Sequence, residues 1–451
     1  MHTLTGNRDQ VLQLMNNTIM KMQTAPQAGA ASLGGGDEVD VVAQLNAGYM
    51  QEQADAAGAS AASIDFTDQQ NDDWFVPRNQ AVAVFQSVMD EYLEEQGAPE
   101  APPKPGGAGA ASIGAGELGH SEIAANIFYG GAAPGSSGAD ATAAALMEQF
   151  DNVDPKWAEV VWEKAKLLFK GKHHFTTHEE APNINFDMDD ETTIAVVGDW
   201  GGGNAAAQGI ADQIKTIKPN HIIHLGDVYY AGTPKEINER FLKFWPAPAE
   251  PGKSFALNSN HEMYSGGYGY FDVTLPKFKQ PASYFTLSNK NWRLVGLDSG
   301  YDEHDLHPPQ AEWLGQVLQN DGRKNIFFSH HQLFSAYETA TDCSKLQAKV
   351  QPFLDAGTIY GWIWGHEHLC VEYKPFMGIK AICLGNGCFP YNPPTIEMPD
   401  NVAWLNARQQ PNDPDYRGIH TFALLRISPQ KIVIEYYDQD GPSERPKQEW
   451  S

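Results

Sequence analysis

Hydrophobic positions along this chain follow two regimes that meet near residue 185. Before it, apolar residues recur at helical spacing. Val11, Leu12, Met15, Ile19 and Met22 share one face of residues 8–23, and Val82, Val84, Phe85, Val88, Met89 and Leu93 stud residues 79–96. These stretches predict amphipathic helices, with a further helical patch over 39–56. The segments between them turn to Ala and Gly at 25–36, to Pro and Gly at 97–118, and to Gly, Ala and Ser at 130–138. Such compositions read as linkers. Asp154 and Pro155 then supply an N-cap and a first-turn proline for a helix that reaches about Lys170.

From Thr192 the period shortens. Compact apolar runs predict strands at 193–197, 221–225, 254–257, 284–287, 292–297, 325–329, 360–364 and 379–384. Helical patterns fall at 205–217 and 308–318, and 420–427 with 431–437 read as a terminal hairpin. Strand, crossover helix and strand in this order predict parallel pairing and an α/β architecture. Ligand groups in such sheets sit just past the C-terminal ends of strands. The chain is therefore read as an acidic, helical and linker-rich region over 1–185, partly flexible, followed by a folded domain over 186–451.

Composition narrows the function classes. The chain has 451 residues and a formal charge of −26, of which residues 1–185 carry −16. So acidic a surface repels nucleic-acid backbones and anionic lipid, and neither is expected as a partner. Cys343, Cys370, Cys383 and Cys388 have no CxxC spacing, which fits a reduced, cytoplasmic protein better than a disulfide framework. No basic-then-apolar leader and no apolar run of membrane-spanning length are evident.

The candidate chemistry lies at the strand ends. Five blocks each follow an apolar run: Gly198-Asp199-Trp200-Gly201, Gly226-Asp227-Val228-Tyr229-Tyr230, Asn260-His261-Glu262, His330-His331 and Gly365-His366-Glu367-His368. Their carboxylates, phenols, amide and imidazoles are donors that suit zinc, iron or manganese. Taken singly, each is an ordinary turn, cap or strand-end residue. Together they point to two metal ions sharing a carboxylate. Asp227 takes the bridging role, Asp199 binds one metal, and Asn260 and His330 serve the other. His366 and His368, two apart in an extended segment, point the same way and hold one metal each. His173, His174 and His178 are read as a solvated loop, and His224 as structural.

The order GD, GDxxY, NHE, HH, GHxH resembles the calcineurin-like metallophosphoesterase superfamily over roughly residues 190–440. Many members carry Asp-x-His in the first block, where this chain has Asp199-Trp200-Gly201. It has Tyr230 three residues after Asp227 instead, as purple acid phosphatases do. That resemblance implies a β-sandwich of two mixed sheets flanked by helices. It implies one metal on Asp199, Asp227, Tyr230 and His368, and a second on Asp227, Asn260, His330 and His366. A phenolate ligand favours iron(III) at the first; the second would be iron(II), zinc or manganese. The implied activity is hydrolysis of phosphate esters, monoesters before diesters, by a water activated between the metals. His261 would protonate the leaving oxygen, and His331 and Glu262 would line the substrate site. Gln332 stands where the family has Pro, and Ser259 where it has Gly. The competing expectation is a catalytically weak scaffold that docks a protein partner through residues 1–185.

Overall fold

In the computed structural model the described residues are 8–24, 45–51, 77, 79–95, 171–246, 252–319, 321–337, 343–389, 398–410 and 418–451. The expected linkers at 25–36, 97–118 and 130–138 and the helix at 154–170 lie outside them. The chain divides into two compact units, the first comprising Met1–Gly58 and Gln70–Gly171 and the second Ala59–Gln69 with Lys172–Ser451.

In the first unit the expected helices are present as Arg8–Thr24 and Gln80–Glu95, which pack against one another. Asn79 caps the latter, its Oδ1 accepting from the backbone N–H of Ala81 and Val82 at 2.9 and 3.3 Å. Val11, Met15 and Ile19 are buried on one, and Val82, Phe85 and Met89 on the other. A helix also covers 45–51.

The second unit is a two-sheet sandwich. Its strands are β1 (Asn185–Asp187), β2 (Thr192–Val197), β3 (His221–His224), β4 (Ser254–Ala256), β5 (Phe285–Ser288), β6 (Trp292–Gly296), β7 (Lys324–Ser329), β8 (Ile359–Trp364), β9 (Cys370–Tyr373), β10 (Lys380–Leu384), β11 (Val402–Leu405), β12 (Thr421–Ile427), β13 (Ile432–Asp438), β14 (Gly441–Pro442) and β15 (Gln448–Trp450). One sheet has the order β1-β5-β6-β7-β8-β10-β9-β11; the other runs β14-β13-β12-β2-β3-β4, with β15 on β13. Both are mixed: β2, β3 and β4 pair in parallel, as do β6, β7 and β8, while β12 pairs antiparallel with β2 and β13.

Alternation decides which side chains meet between the sheets. Ile194 and Val196 of β2, Leu425 and Ile427 of β12, Ile326 and Phe328 of β7, and Ile382 and Leu384 of β10 join one core. The helix Ala205–Ile217 is the expected crossover between β2 and β3. Asn204 caps its start, and Ala207, Ile210, Ala211 and Ile214 are its buried stripe. β9 and β11 are short strands beyond the predicted set, as is the helix Ser344–Asp355. Its apolar stripe is thin, with only Leu346 and Val350 buried. The four cysteines are free. Among the described residues no helix is long and apolar enough to cross a membrane.

Candidate metal centre

The loops beyond the parallel strands β2, β3, β4, β7 and β8 carry the five blocks. Four of their residues adopt left-handed backbone: Asp199 (φ 54°), Asp227 (φ 76°), His366 (φ 68°) and His368 (φ 50°). Outside glycine that conformation costs about 1–3 kcal/mol per residue and persists where the surroundings enforce it. It also corrects the expectation that His366 and His368 lie in an extended segment. Both sit in the turn between β8 and β9, and left-handed torsions, not strand alternation, aim their rings. Glycine is required beside them. A Cβ on Gly365 would lie 2.6 Å from Asp199 Oδ2, and one on Gly226 2.8 Å from His330 Nδ1.

Each donor is held from its far side. His330 turns Nδ1 to the carbonyl of Leu225 at 3.0 Å, so that nitrogen carries the proton. Its Nε2 lone pair then faces Asn260 Oδ1 at 2.9 Å, His366 Nδ1 at 3.1 Å and Asp227 Oδ1 at 3.3 Å. Asn260 opens the short helix Asn260–Tyr264 and donates its amide Nδ2 to the Tyr264 hydroxyl at 2.8 Å, which leaves Oδ1 aimed inward. Asp199 Oδ2 accepts the backbone N–H of His366 at 2.9 Å, and its Oδ1 stands 3.5 Å from His368 Nε2. His261 bonds through Nδ1 to the carbonyl of Tyr230, and its Nε2 lies 3.9 Å from Asp227 Oδ2. All these side chains are buried.

The electrostatics are those of a site built around positive charge. Burial and the neighbouring charge of Asp227 push the Asp199 carboxyl well above the usual carboxylate range. Burial works the same way on Asp227, but the positive charge that His330 and His261 carry when protonated holds it below that range. Asp227 Oδ1 accepts no hydrogen bond among the described residues.

A metal fits this donor set. His330 Nε2 and Asn260 Oδ1 are both acceptors by virtue of their far-side bonds, yet they stand 2.9 Å apart. Bonds of about 2.0–2.2 Å to one cation put neighbouring donors roughly 3–3.5 Å apart, the spacing seen across the cluster. Asp199, Asp227 and His330 offer ligand atoms within 4.8 Å of one another.

Three expected site residues lie elsewhere or act otherwise. The hydroxyl that meets Asp199 Oδ1 (3.4 Å) and His368 Nε2 (3.2 Å) is that of Tyr229. Tyr230 has its ring beneath the Arg240 guanidinium, 5.1 Å from the ring centre, and its N–H on Glu236 at 2.6 Å. Adjacent residues of one turn cannot be told apart by spacing from Asp227; the backbone torsions decide. Glu262 is turned into the protein, taking the Ser259 hydroxyl in a very short bond and the backbone N–H of Asp227 at 3.3 Å. It props the Asp227 loop. His331 bonds through Nδ1 to Ser299 at 3.0 Å and packs on His304, which the sequence patterns passed over although it too follows a strand end, β6.

His224, His174 and His178 bond or pack within the protein. His224 is boxed by Trp200, Phe241 and Trp245, and burial lowers its pKa to about 3, so it is neutral. His174 bonds Glu180, and His178 bonds the Tyr284 hydroxyl.

A sandwich of two mixed sheets flanked by helices, with carboxylates and imidazoles at its strand ends, is consistent with the calcineurin-like fold. Residues 192–370 match the family model described as calcineurin-like phosphoesterase. The chain is also similar to GAP50, the anchor in the inner membrane complex of Plasmodium, at 13% identity over 58% of this chain and 89% of that one, with a TM-score of 0.45. A dimetal phosphatase from Danio rerio is 13% identical over 58% and 99% of the two chains, with a TM-score of 0.39. Vps29 of Entamoeba histolytica, complexed with zinc, is 10% identical over 57% and 97%, with a TM-score of 0.25. No protein of curated function matches the sequence.

Proposed function

We propose that residues 186–451 hydrolyse phosphate esters at a two-cation centre, with residues 1–185 a separate functional segment. One observation carries the reading: the buried acceptors of His330 and Asn260 are pinned toward each other at 2.9 Å, an arrangement a cation between them satisfies. Asp199, His368 and Tyr229 form one half of the centre, and Asn260, His330 and His366 the other. Asp227 lies between them. A phenol in the first half favours iron(III) there; the second half suits iron(II), zinc or manganese. Two bound cations supply charge neutralisation for the phosphoryl oxygens and an acidified water.

The protein's own groups do the rest. Glu262 fixes the Asp227 backbone, and the carbonyl of Leu225 fixes the His330 ring. His261, its Nδ1 proton on the carbonyl of Tyr230, keeps Nε2 as the atom that passes a proton to the leaving oxygen. The depth of the donors favours monoesters, whose terminal phosphoryl enters a recessed site with one substituent trailing outward.

The test is metal analysis of the purified full-length protein, with its visible spectrum and a generic aryl phosphate assay. Two metals per chain, hydrolysis, and loss of hydrolysis by at least about a thousandfold in Asp227→Asn with the fold retained are expected. Full activity in that variant, or no bound metal after reconstitution, sinks the proposal. A charge-transfer band in the visible marks a tyrosinate–iron(III) bond; two metals without it remove the iron(III) assignment alone.

A further inference from the structure

The loop that carries Asn260 is stapled from behind to the loop that follows β6. Asn258 lies on the first and Asp298 on the second, and both are fully buried. The Asn258 amide Nδ2 donates to both oxygens of the Asp298 carboxylate, at 3.2 Å each. Asp298 Oδ1 also accepts the backbone N–H groups of Gly300 and Tyr301, at 3.0 and 2.8 Å, which folds its own loop around the carboxylate. Gln310 brackets the Asp298 backbone: its Oε1 accepts the N–H at 2.9 Å and its Nε2 donates to the carbonyl at 2.8 Å. A residue held by this many bonds dictates where the Asn258 amide must lie.

The staple closes on backbone as well as on side chains. A Cβ on Gly300 would stand 2.7 Å from the N, Cα and C atoms of Ser259 alike. Only a residue without a side chain permits that approach. Ser259 in turn caps the helix Asn260–Tyr264, its hydroxyl accepting the N–H of His261 at 3.1 Å. Asn260 is the first residue of that helix, and its Oδ1 stands 2.9 Å from His330 Nε2. A shift of Ser259 away from Gly300 therefore moves Asn260 relative to His330. The β6 loop is also tied on its other side, where the Tyr301 hydroxyl donates to the carbonyl of His173 at 2.7 Å.

We infer that Asp298 is a positioning residue of the centre: through Asn258 and Gly300 it sets the place of Asn260, and with it the affinity for one of the two cations. The inference rests on the proposed function in reading Asn260 as a metal ligand.

The test exchanges the two ends of the staple in the full-length protein and reads both zinc affinities by competition with a chelator. Asn258→Asp sets two carboxylates face to face. One zinc ion is then expected to bind about tenfold to a hundredfold more weakly, while the other stays within about threefold of the wild type. Adding Asp298→Asn restores a carboxylate–amide pair with the roles exchanged, and the weakened ion recovers to within about threefold. Gly300→Ala, which buries no new charge, weakens the same ion about tenfold. A residue that served the fold alone would lower the melting temperature and leave both affinities in place. Unchanged affinities in Asn258→Asp and Gly300→Ala overturn the inference, and so does failure of the exchanged pair to recover the ion that Asn258→Asp weakens. Where Asn258→Asp does not fold, Gly300→Ala alone decides. Selective weakening with recovery supports the inference even where the wild type hydrolyses no ester, an outcome that sinks only the hydrolase; a wild type that binds no metal sinks both.

Discussion

The two halves of the donor cluster meet the problem of buried polarity in opposite ways. In the half built from Asn260, His330 and His366, the far-side bonds of Asn260 and His330 take up their protons, and acceptor faces acceptor across 2.9 Å. In the half built from Asp199, His368 and Tyr229, a phenol O–H stands between carboxylate and imidazole at 3.4 and 3.2 Å. The second half can close on itself through one hydroxyl; in the first, Asn260 Oδ1 and His330 Nε2 cannot satisfy each other. Two acceptors turned to one point repel one another and attract a cation, so the demand for a cation is concentrated at Asn260 and His330. That difference teaches where the metal-free protein stores its instability, and it orders the expected effects of mutation.

The largest effect falls on the half that cannot close. Asn260→Leu removes a donor and leaves His330 facing an alkyl group. One cation per chain is lost and kcat falls about a hundredfold or more. Metal stoichiometry against turnover measures this directly. Two metals with normal turnover would show that the acceptor-to-acceptor contact is not the binding position.

The same contrast explains what could be read from the sequence. The strands β2, β3, β4, β7 and β8 are legible because both of their faces are buried, which writes continuous apolar runs such as Ile194–Val197 and Ile326–Phe328. Block positions follow, since parallel strands deliver their loops to one edge. What hides is torsional. Tyr229 and Tyr230 differ by one position in a turn, and no periodicity tells which ring turns inward. His366 and His368 look like strand residues until their φ angles are known. His304 escapes because nothing before it marks Asp298 as the anchor of its loop. The short edge strands β9 and β11 escape because four residues carry too little pattern.

An intermediate effect tests the half that closes on its own hydroxyl. Tyr229→Phe removes the O–H between Asp199 and His368. If iron(III) is bound, the visible band disappears, and turnover falls about tenfold or more. Retention of the band in this variant would return the phenolate role to another tyrosine and remove the self-closing contrast. Tyr264→Phe probes the opposite half more gently. It frees the Asn260 amide to rotate while leaving the ring in place, and metal affinity drops about tenfold with thermal stability nearly unchanged. Competition against a chelator of known affinity reads that change.

The smallest effect is the sharpest discriminator. Tyr230 contributes its backbone to the site: its N–H bonds Glu236 at 2.6 Å and its carbonyl takes His261 Nδ1. Its ring lies under Arg240, and Arg240 in turn donates to the carbonyl of Tyr229 at 2.8 Å. A phenylalanine ring keeps the backbone contacts and most of the stacking on the guanidinium. Tyr230→Phe should therefore hold its metal content, its band and its turnover within about twofold. Turnover of the two tyrosine variants under one assay settles the assignment. If Tyr230→Phe loses the band and Tyr229→Phe keeps it, the phenol belongs to the residue three positions after Asp227, and the half that closes on itself does so through a different turn from the one described.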